Sequence, residues 1–190
     1  PRPDTEILGE ETIKIAQRMK APKILDLCTG SGAIAISIAK NVSNAEIYAV
    51  DISEKALKVA RKNAERLEVV KKVKFIKSNL FNEIGKNKFD IIVTNPPYIK
   101  KEDIQYLSDE VQNEPLLALD GGLDGLDFYR KILNQAIDYM KFDGYICMEI
   151  GYNQKEEVLE LIKQNNQYTD TYSKKDLHGN DRIIVTRVRG

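Results

Sequence analysis

Asn95-Pro96-Pro97-Tyr98 gathers two hydrogen-bond acceptors, a stiff backbone and an aromatic face into one short stretch. The prolines fix φ and remove backbone donors, so the Pro96 carbonyl cannot pair in a ladder and is held facing outward. Beside it stand the side-chain amide of Asn95 and the ring of Tyr98. Two acceptors and a ring, rigidly placed, suit the gripping of a planar group that carries an NH2. That group is either a carboxamide or the exocyclic amine of a base. The plainer alternative is a tight turn in which Asn95 bonds its own backbone, and the residues upstream weigh against it.

Upstream, Lys23 to Cys28 reads as a short buried strand that leads through Thr29-Gly30-Ser31-Gly32 into a helix, Ala33 to Lys40. A glycine-rich turn between strand and helix lets backbone approach a ligand closely, with the helix N-terminus pointing at it. A second strand, Ala45 to Val50, ends in Asp51, about 20 positions beyond the loop, where a carboxylate can accept both hydroxyls of a ribose. The loop departs from the dinucleotide fingerprint, because Ala35 stands where a third glycine is usual. Asp26, just before the loop, would repel a pyrophosphate but can meet a cation directly or through water. Its alternative is a carboxylate that caps the turn. S-adenosylmethionine has a ribose, an adenine, an ammonium and a sulfonium and no phosphate, so Asp26 and Asp51 fit it better than a nicotinamide dinucleotide. The candidate cofactor contacts that this unit offers are Asp26, Cys28, Thr29, Gly30, Ser31, Gly32 and Asp51. Asn95, Pro96, Pro97 and Tyr98 are the candidate substrate contacts, with Asn95, Pro96 and Tyr98 as the catalytic set.

Those residues need a framework that holds loops at one edge, and the rest of the chain predicts it. Val73 to Ile76 reads as a third strand, Phe89 to Thr94 as a fourth, Tyr145 to Ile150 as a fifth and Ile183 to Val188 as a last one. Between them, Ser53 caps a helix with Leu57, Ala60, Ala64 and Leu67 on one face. Further helices are expected from Leu126 to Met140 and from Gln154 to Lys163. Strands alternating with helices predict an α/β doubly wound sheet, a Rossmann-like architecture. Ile99 to Gly125 is long, charged and glycine-rich, and follows directly on the Asn-Pro-Pro-Tyr motif, so it is expected to form a wall or lid of the substrate site.

The sequence resembles the class I S-adenosylmethionine-dependent methyltransferases. Within them it resembles the protein-glutamine methyltransferases of peptide chain release factors (the HemK/PrmC family). The similar stretches are Arg2-Pro3-Asp4-Thr5-Glu6, the loop Asp26 to Gly32, and Asn95 to Tyr98. They continue with Glu114-Pro115, Ala118-Leu119, Gly121-Gly122, Asp124-Gly125-Leu126 and Tyr129-Arg130. The last are Glu149-Ile150-Gly151 with Gln154, and Asp176 to Arg182. The resemblance implies a seven-stranded, mostly parallel sheet with an antiparallel last strand. It also implies S-adenosyl-L-methionine as cofactor, S-adenosyl-L-homocysteine as product, and the glutamine of a release factor's Gly-Gly-Gln motif as methyl acceptor. Two positions depart from the family pattern. Cys28 stands where glycine is usual and Asn79 where an acid is common; both are expected to be tolerated, and the resemblance implies Ile52, Asn79, Leu80 and Asn95 as further cofactor contacts. The family carries a small helical domain before the stretch that Arg2 to Glu6 resembles, and residues 1–190, which open inside that family motif, are expected to be the catalytic domain alone.

Composition sets the outer bounds. The chain is of single-domain size, and its 29 Lys and Arg balance 29 Asp and Glu. A protein that tracks a nucleic-acid backbone is usually basic, so no direct nucleic-acid partner is expected. The cluster Lys71, Lys72, Lys74 and Lys77 reads as a solvated loop and strand edge. The two cysteines, Cys28 and Cys147, suggest neither a disulfide framework nor a zinc site, and no run is long or apolar enough for a membrane span. A cytoplasmic monomer is the expectation, and the resemblance implies a peptide chain release factor as its protein substrate. His178, the sole histidine, is not expected to act as a base, and Arg2 and Glu6 read as anchors or an ion pair. The rival functions are methylation of adenine in DNA, of glutamine in a ribosomal protein, a cofactor-binding scaffold without turnover, and a nicotinamide dehydrogenase.

Overall fold

A computed structural model describes residues 3–112 and 115–190 of the chain; Arg2 and Glu114, named above, lie outside the described residues. One seven-stranded sheet runs in the order β3-β2-β1-β4-β5-β7-β6. Its strands are β1 (Lys23–Leu27), β2 (Glu46–Asp51), β3 (Val73–Lys77), β4 (Phe89–Thr94), β5 (Met140–Glu149), β6 (Tyr168–Lys175) and β7 (Asp181–Val188). The pairs among β1 to β5 are parallel, and β7 is antiparallel to both its neighbours, β5 and β6. The expected sheet, parallel but for its last strand, is the observed one.

The helices are α1 (Pro3–Ala16), α2 (Ala33–Asn41), α3 (Glu54–Arg66), the short α4 (Asp109–Gln112), α5 (Asp127–Ala136) and α6 (Lys155–Lys163). Ser53 caps α3 as expected, its hydroxyl accepting the Ala56 N–H at 3.2 Å. Strand residues alternate between two cores, as both faces of a parallel sheet must be covered. Leu25, Leu27, Ile92 and Ile146 face one cluster with Tyr129, Ile132 and Leu133 of α5 and Val158 and Ile162 of α6. Ile24, Ile91, Val93 and Cys147 face the other, with Leu8 and Ile15 of α1 and Ile34 and Ile38 of α2.

Two elements are not announced by the apolar pattern. The inward face of α1 carries Glu11 and Thr12, both buried, among Leu8, Ile15 and Ala16. Thr12 returns its hydroxyl to the Leu8 carbonyl at 2.8 Å, while Glu11 pairs with Lys174 and accepts from the Tyr172 hydroxyl at 2.7 Å. These polar residues interrupt the helical stripe in the sequence, and their partners lie on β6, far along the chain. Strand β6 is a sheet edge in which only Tyr168 is fully buried, so it has no hydrophobic alternation to read. Two boundaries also move. Helix α5 ends at Ala136 in a 3-10 turn, Ile137–Tyr139, and β5 begins at Met140, earlier than Tyr145. Cys28 lies beyond the end of β1, in the turn. Lys72 and Lys74 are more than solvated: Lys72 donates to the Ala39 carbonyl at 3.2 Å, and Lys74 pairs with Glu46 at 2.7 Å.

The strand order reverses at β1, which lies between β2 and β4. Ligands of open α/β sheets bind outside the carboxyl ends of strands at such a switch point. The loops that follow β1 and β4 are those that begin at Cys28 and Asn95. Thr94 ties them together, donating its hydroxyl to the Leu27 carbonyl at 3.0 Å. Among the described residues no helix is long and apolar enough to cross a membrane.

Candidate active site

The turn after β1 is built from left-handed backbone. Cys28 has φ 59°, Gly30 55° and Gly32 80°. Left-handed backbone favours glycine, which explains why Cys28 is a departure. The two glycines have different reasons. A Cβ on Gly32 would stand 2.9 Å from the Ala60 Cβ, so Gly32 lets α2 pack on α3; a Cβ on Gly30 would meet nothing within 4 Å. Gly30 therefore opens onto free space, where a ligand can approach the backbone. Its N–H donates to Asp51 Oδ2 at 2.9 Å, while Asp51 Oδ1 accepts the Ser53 N–H at 2.9 Å. A carboxylate has about four lone-pair sites, so Asp51 is held in place and keeps acceptor capacity for a ligand.

Asp26 behaves differently from a simple surface acceptor. It is 0% exposed, and its Oδ2 accepts from the Thr29 hydroxyl at 2.6 Å and the Ala35 N–H at 3.2 Å. Its Oδ1 is buried with no partner. Burial pushes its pKa up to about 7, against the opposing hydrogen bonds from Thr29 and Ala35. Asp26 thus staples the loop to the start of α2 with one oxygen and leaves the other unsatisfied. Burial, reinforced by the Asp51 and Asp26 charges, likewise pushes the Cys28 thiol up to about 12, so it stays neutral.

The loop after β3 repeats the left-handed device. Leu80 has φ 49°, and the buried Ser78 hydroxyl holds it by donating to the Leu80 carbonyl at 2.9 Å while accepting the Glu83 N–H at 3.0 Å. Asn79, between them, is exposed.

Asn95 to Tyr98 leaves β4 as irregular backbone, with Pro96 and Pro97 buried and Asn95 and Tyr98 half-buried. The late motifs explain how it is held. Tyr98 donates its hydroxyl to Glu149 Oε1 at 3.2 Å, and Glu149 is 1% exposed at the end of β5. Tyr129 of α5 fixes the same strand end by donating to the Glu149 carbonyl at 2.8 Å, its hydroxyl kept protonated chiefly by burial. The 99–125 excursion closes on itself: Ile99 N–H donates to the Leu119 carbonyl at 3.0 Å and Gly121 N–H to the Ile99 carbonyl at 2.8 Å. Gly121 packs against Tyr98, where a Cβ would lie 2.8 Å from the Tyr98 Cα.

A cavity of 450 Å³ opens at this edge, within the usual range for small-molecule sites. Of the sequence-derived candidates, Cys28, Gly30, Ser31, Asp51, Ile52, Asn79, Leu80, Asn95 and Pro97 line it. Asp26, Thr29, Gly32, Pro96 and Tyr98 are not in the lining; they shape the loops behind it. Val59 of α3 and Phe128 of α5 line it without having been expected, and Leu117 lines it from the 99–125 segment that was. Val59 and Leu117 are large apolar side chains left 45% and 68% exposed, a signal of ligand contact that only burial reveals. Pro115, Leu117 and Ala118 make the 99–125 excursion one wall of the cavity. His178 and Glu6 are exposed, and neither lines it. The turn carrying His178 is instead organised by Asp176, whose carboxylate burial would raise but hydrogen bonds from Asn180, Arg182 and His178 N–H hold at about 2. Among the described residues no group of His, Cys, Asp and Glu is arranged to hold a metal ion.

A family profile described as a methyltransferase domain matches residues 19–183. A release factor glutamine methyltransferase of Fusobacterium nucleatum subsp. nucleatum is 43% identical over 98% of this chain, which spans 53% of that protein. One of the same name from Clostridium acetobutylicum is 41% identical over 100% of this chain, which spans 67% of it. The chain therefore covers between about half and two thirds of these relatives' length. A ribosomal protein L11 methylase from Lactobacillus delbrueckii subsp. bulgaricus superposes with a TM-score of 0.67 at 21% identity, covering 96% of this chain and 78% of that one. That likeness carries the fold alone. Identity to the curated relatives along nearly the whole chain, on a methyltransferase sheet whose switch point carries Asn95-Pro96-Pro97-Tyr98, places this protein in the release factor glutamine methyltransferase family.

Proposed function

We propose that this protein methylates the side-chain nitrogen of the glutamine in the Gly-Gly-Gln motif of peptide chain release factors, with S-adenosylmethionine as donor. The observation that carries the reading is that Asn95 and Pro97 line the same cavity as Gly30, Asp51 and Asn79. The residues fit that donor on three counts. The cavity volume of 450 Å³ suits a nucleoside-sized ligand. Gly30 leaves its backbone open, and the unpartnered Asp26 Oδ1 is an acceptor suited to an ammonium or its bridging water. When bound, S-adenosylmethionine supplies an electrophilic methyl on a sulfonium.

The chain's own residues do the rest by placement. Asp51 takes the ribose hydroxyls with its remaining lone pairs, and Ile52, Val59 and Leu80 offer apolar contact to the base, whose amine meets Asn79. Asn95 Oδ1 and the Pro96 carbonyl accept the two N–H groups of the acceptor amide. That arrangement orients a weakly nucleophilic nitrogen and favours its partial pyramidalisation. Its proton becomes acidic as the new bond forms, so no strong base is required and His178 has no part. Most of the rate enhancement then comes from alignment and fixed dipoles. Tyr98, tied by its hydroxyl to Glu149, would pack its ring against the plane of the acceptor amide.

The deciding experiment follows labelled methyl from S-adenosylmethionine into a release factor, a ribosomal protein mixture and adenine-containing DNA. Label on the Gly-Gly-Gln glutamine, lost in Asn95→Ala, supports the reading down to the residue. Label on DNA or on ribosomal protein alone overturns the substrate assignment.

A further inference from the structure

The amide of Gln154, buried at the start of α6, joins segments that meet behind Asn95 to Tyr98. Its Oε1 accepts the Gly151 N–H at 2.9 Å. Its Nε2 donates to the Tyr98 carbonyl at 2.9 Å and to the Gly125 carbonyl at 3.2 Å. One acceptor and two donors are thus all used, and no charged side chain offers that set. The space is fitted to it: a Cβ on Gly125 would lie 2.7 Å from Gln154 Nε2 and 2.5 Å from the Tyr98 carbonyl oxygen. Gln154 does not line the cavity.

We propose that Gln154 is a positioning residue, which sets the angle of the Asn95–Tyr98 acceptors through the Tyr98 carbonyl. The inference rests on the methyl-transfer reading above. Two prolines make the segment stiff, so an anchor at its carboxyl end governs where its amino end points. Glu149 holds the Tyr98 side chain, and Gln154 holds the backbone of the same residue. A displacement of about 1 Å in such a constellation costs about a hundredfold in rate, so the anchor acts on turnover rather than on donor binding.

Gln154→Glu tests this, because an ionised carboxylate turns acceptors toward two carbonyls, whereas the protonated acid regains one donor. Nearby groups that also titrate or carry charge are Glu149, the hydroxyls of Tyr98 and Tyr129, and the Lys155–Asp181 and Arg182–Asp176 ion pairs; the wild-type profile run alongside accounts for them. The expected result is kcat down about tenfold or more near pH 8, with the deficit shrinking as pH falls, while the dissociation constant of S-adenosylmethionine stays within about twofold. Wild-type kcat near pH 8, or a deficit that is the same at every pH, overturns the proposal. Should this variant not fold, Gln154→Met keeps the length without the amide and should lose kcat at unchanged donor affinity. Unchanged kcat in a folded Gln154→Met overturns the proposal, and so does failure of both variants to fold, which would make the residue one of stability only. A wild-type chain that labels no release factor sinks the functional reading instead, and the two failures are thereby distinct.

Discussion

Tyr98 and Glu149 lie far apart in the chain, yet the Tyr98 hydroxyl donates to Glu149 Oε1 at 3.2 Å across the carboxyl edge of β4 and β5. Tyr98→Phe removes one donor from a carboxylate that is 1% exposed, and the expected cost is about 1–2 kcal/mol of stability by chemical denaturation. A variant as stable as wild type would mean that the pair holds nothing in place.

Asn95→Ala should abolish methyl transfer while leaving the affinity for S-adenosylmethionine within a few-fold. Asp51→Ala should do the reverse first, weakening donor binding by about 1–3 kcal/mol, the scale for charge-assisted hydrogen bonds. Calorimetry separates the two, and an unchanged dissociation constant in Asp51→Ala removes that residue from the ribose.

Cys28 sits at φ 59°, a conformation that costs an L-residue about 1–2 kcal/mol. Cys28→Gly is expected to raise stability by up to about 1 kcal/mol, the relief being partly offset by the freer unfolded chain. Cys28→Val, β-branched at the same angle, should fall below wild type. Melting temperatures ranked otherwise would deny the strain.

Asp26 should make the stability of the ligand-free chain fall as pH rises between about 4 and 7. Asp26 binds its proton up to about 7 when folded, against an ordinary carboxyl value of 3.8 when unfolded. In that window the folded state holds more protons, so raising pH favours unfolding, and the penalty is complete above about 7. The whole change is at most about 4 kcal/mol. Asp26→Asn should flatten this slope in urea denaturation at several pH values; an unaltered slope would show that Asp26 ionises freely in the folded chain.

What the sequence disclosed followed from local chemistry. The β4 run from Phe89 to Thr94 is mostly apolar and is followed by Asn95 and two prolines, and the observed strand has those bounds. Ser53 precedes a helix with a clear apolar stripe, and it caps that helix. Helix α1 was hidden because Glu11 and Thr12 occupy its inward face, satisfied by partners that only the fold supplies. Edge strand β6 lacked a pattern because one side of it meets solvent. At the cavity, the residue types of Gly30, Asp51 and Asn95 spoke for themselves. The 99–125 excursion was expected as a wall, but that Leu117 is the apolar side chain it presents, and that Phe128 of α5 joins it, becomes evident only in the fold. Asp26 was legible as an acid beside the loop, whereas its division into one bonded and one unpartnered oxygen was not.

Strand β7 follows β6 in the chain but lies between β5 and β6 in the sheet. During synthesis, then, β5 and β6 emerge with a gap between them that only residues 181–188 can fill. Ile183 and Val185 of that strand belong to one core and Ile184 and Val188 to the other, so neither hydrophobic layer is complete until those residues are free to insert. The sheet cannot close progressively from its amino end, and a nascent chain arrested before Asp181 should remain sensitive to protease and bind no donor. Protease resistance appearing before that point would show that the first five strands stand without their late partner.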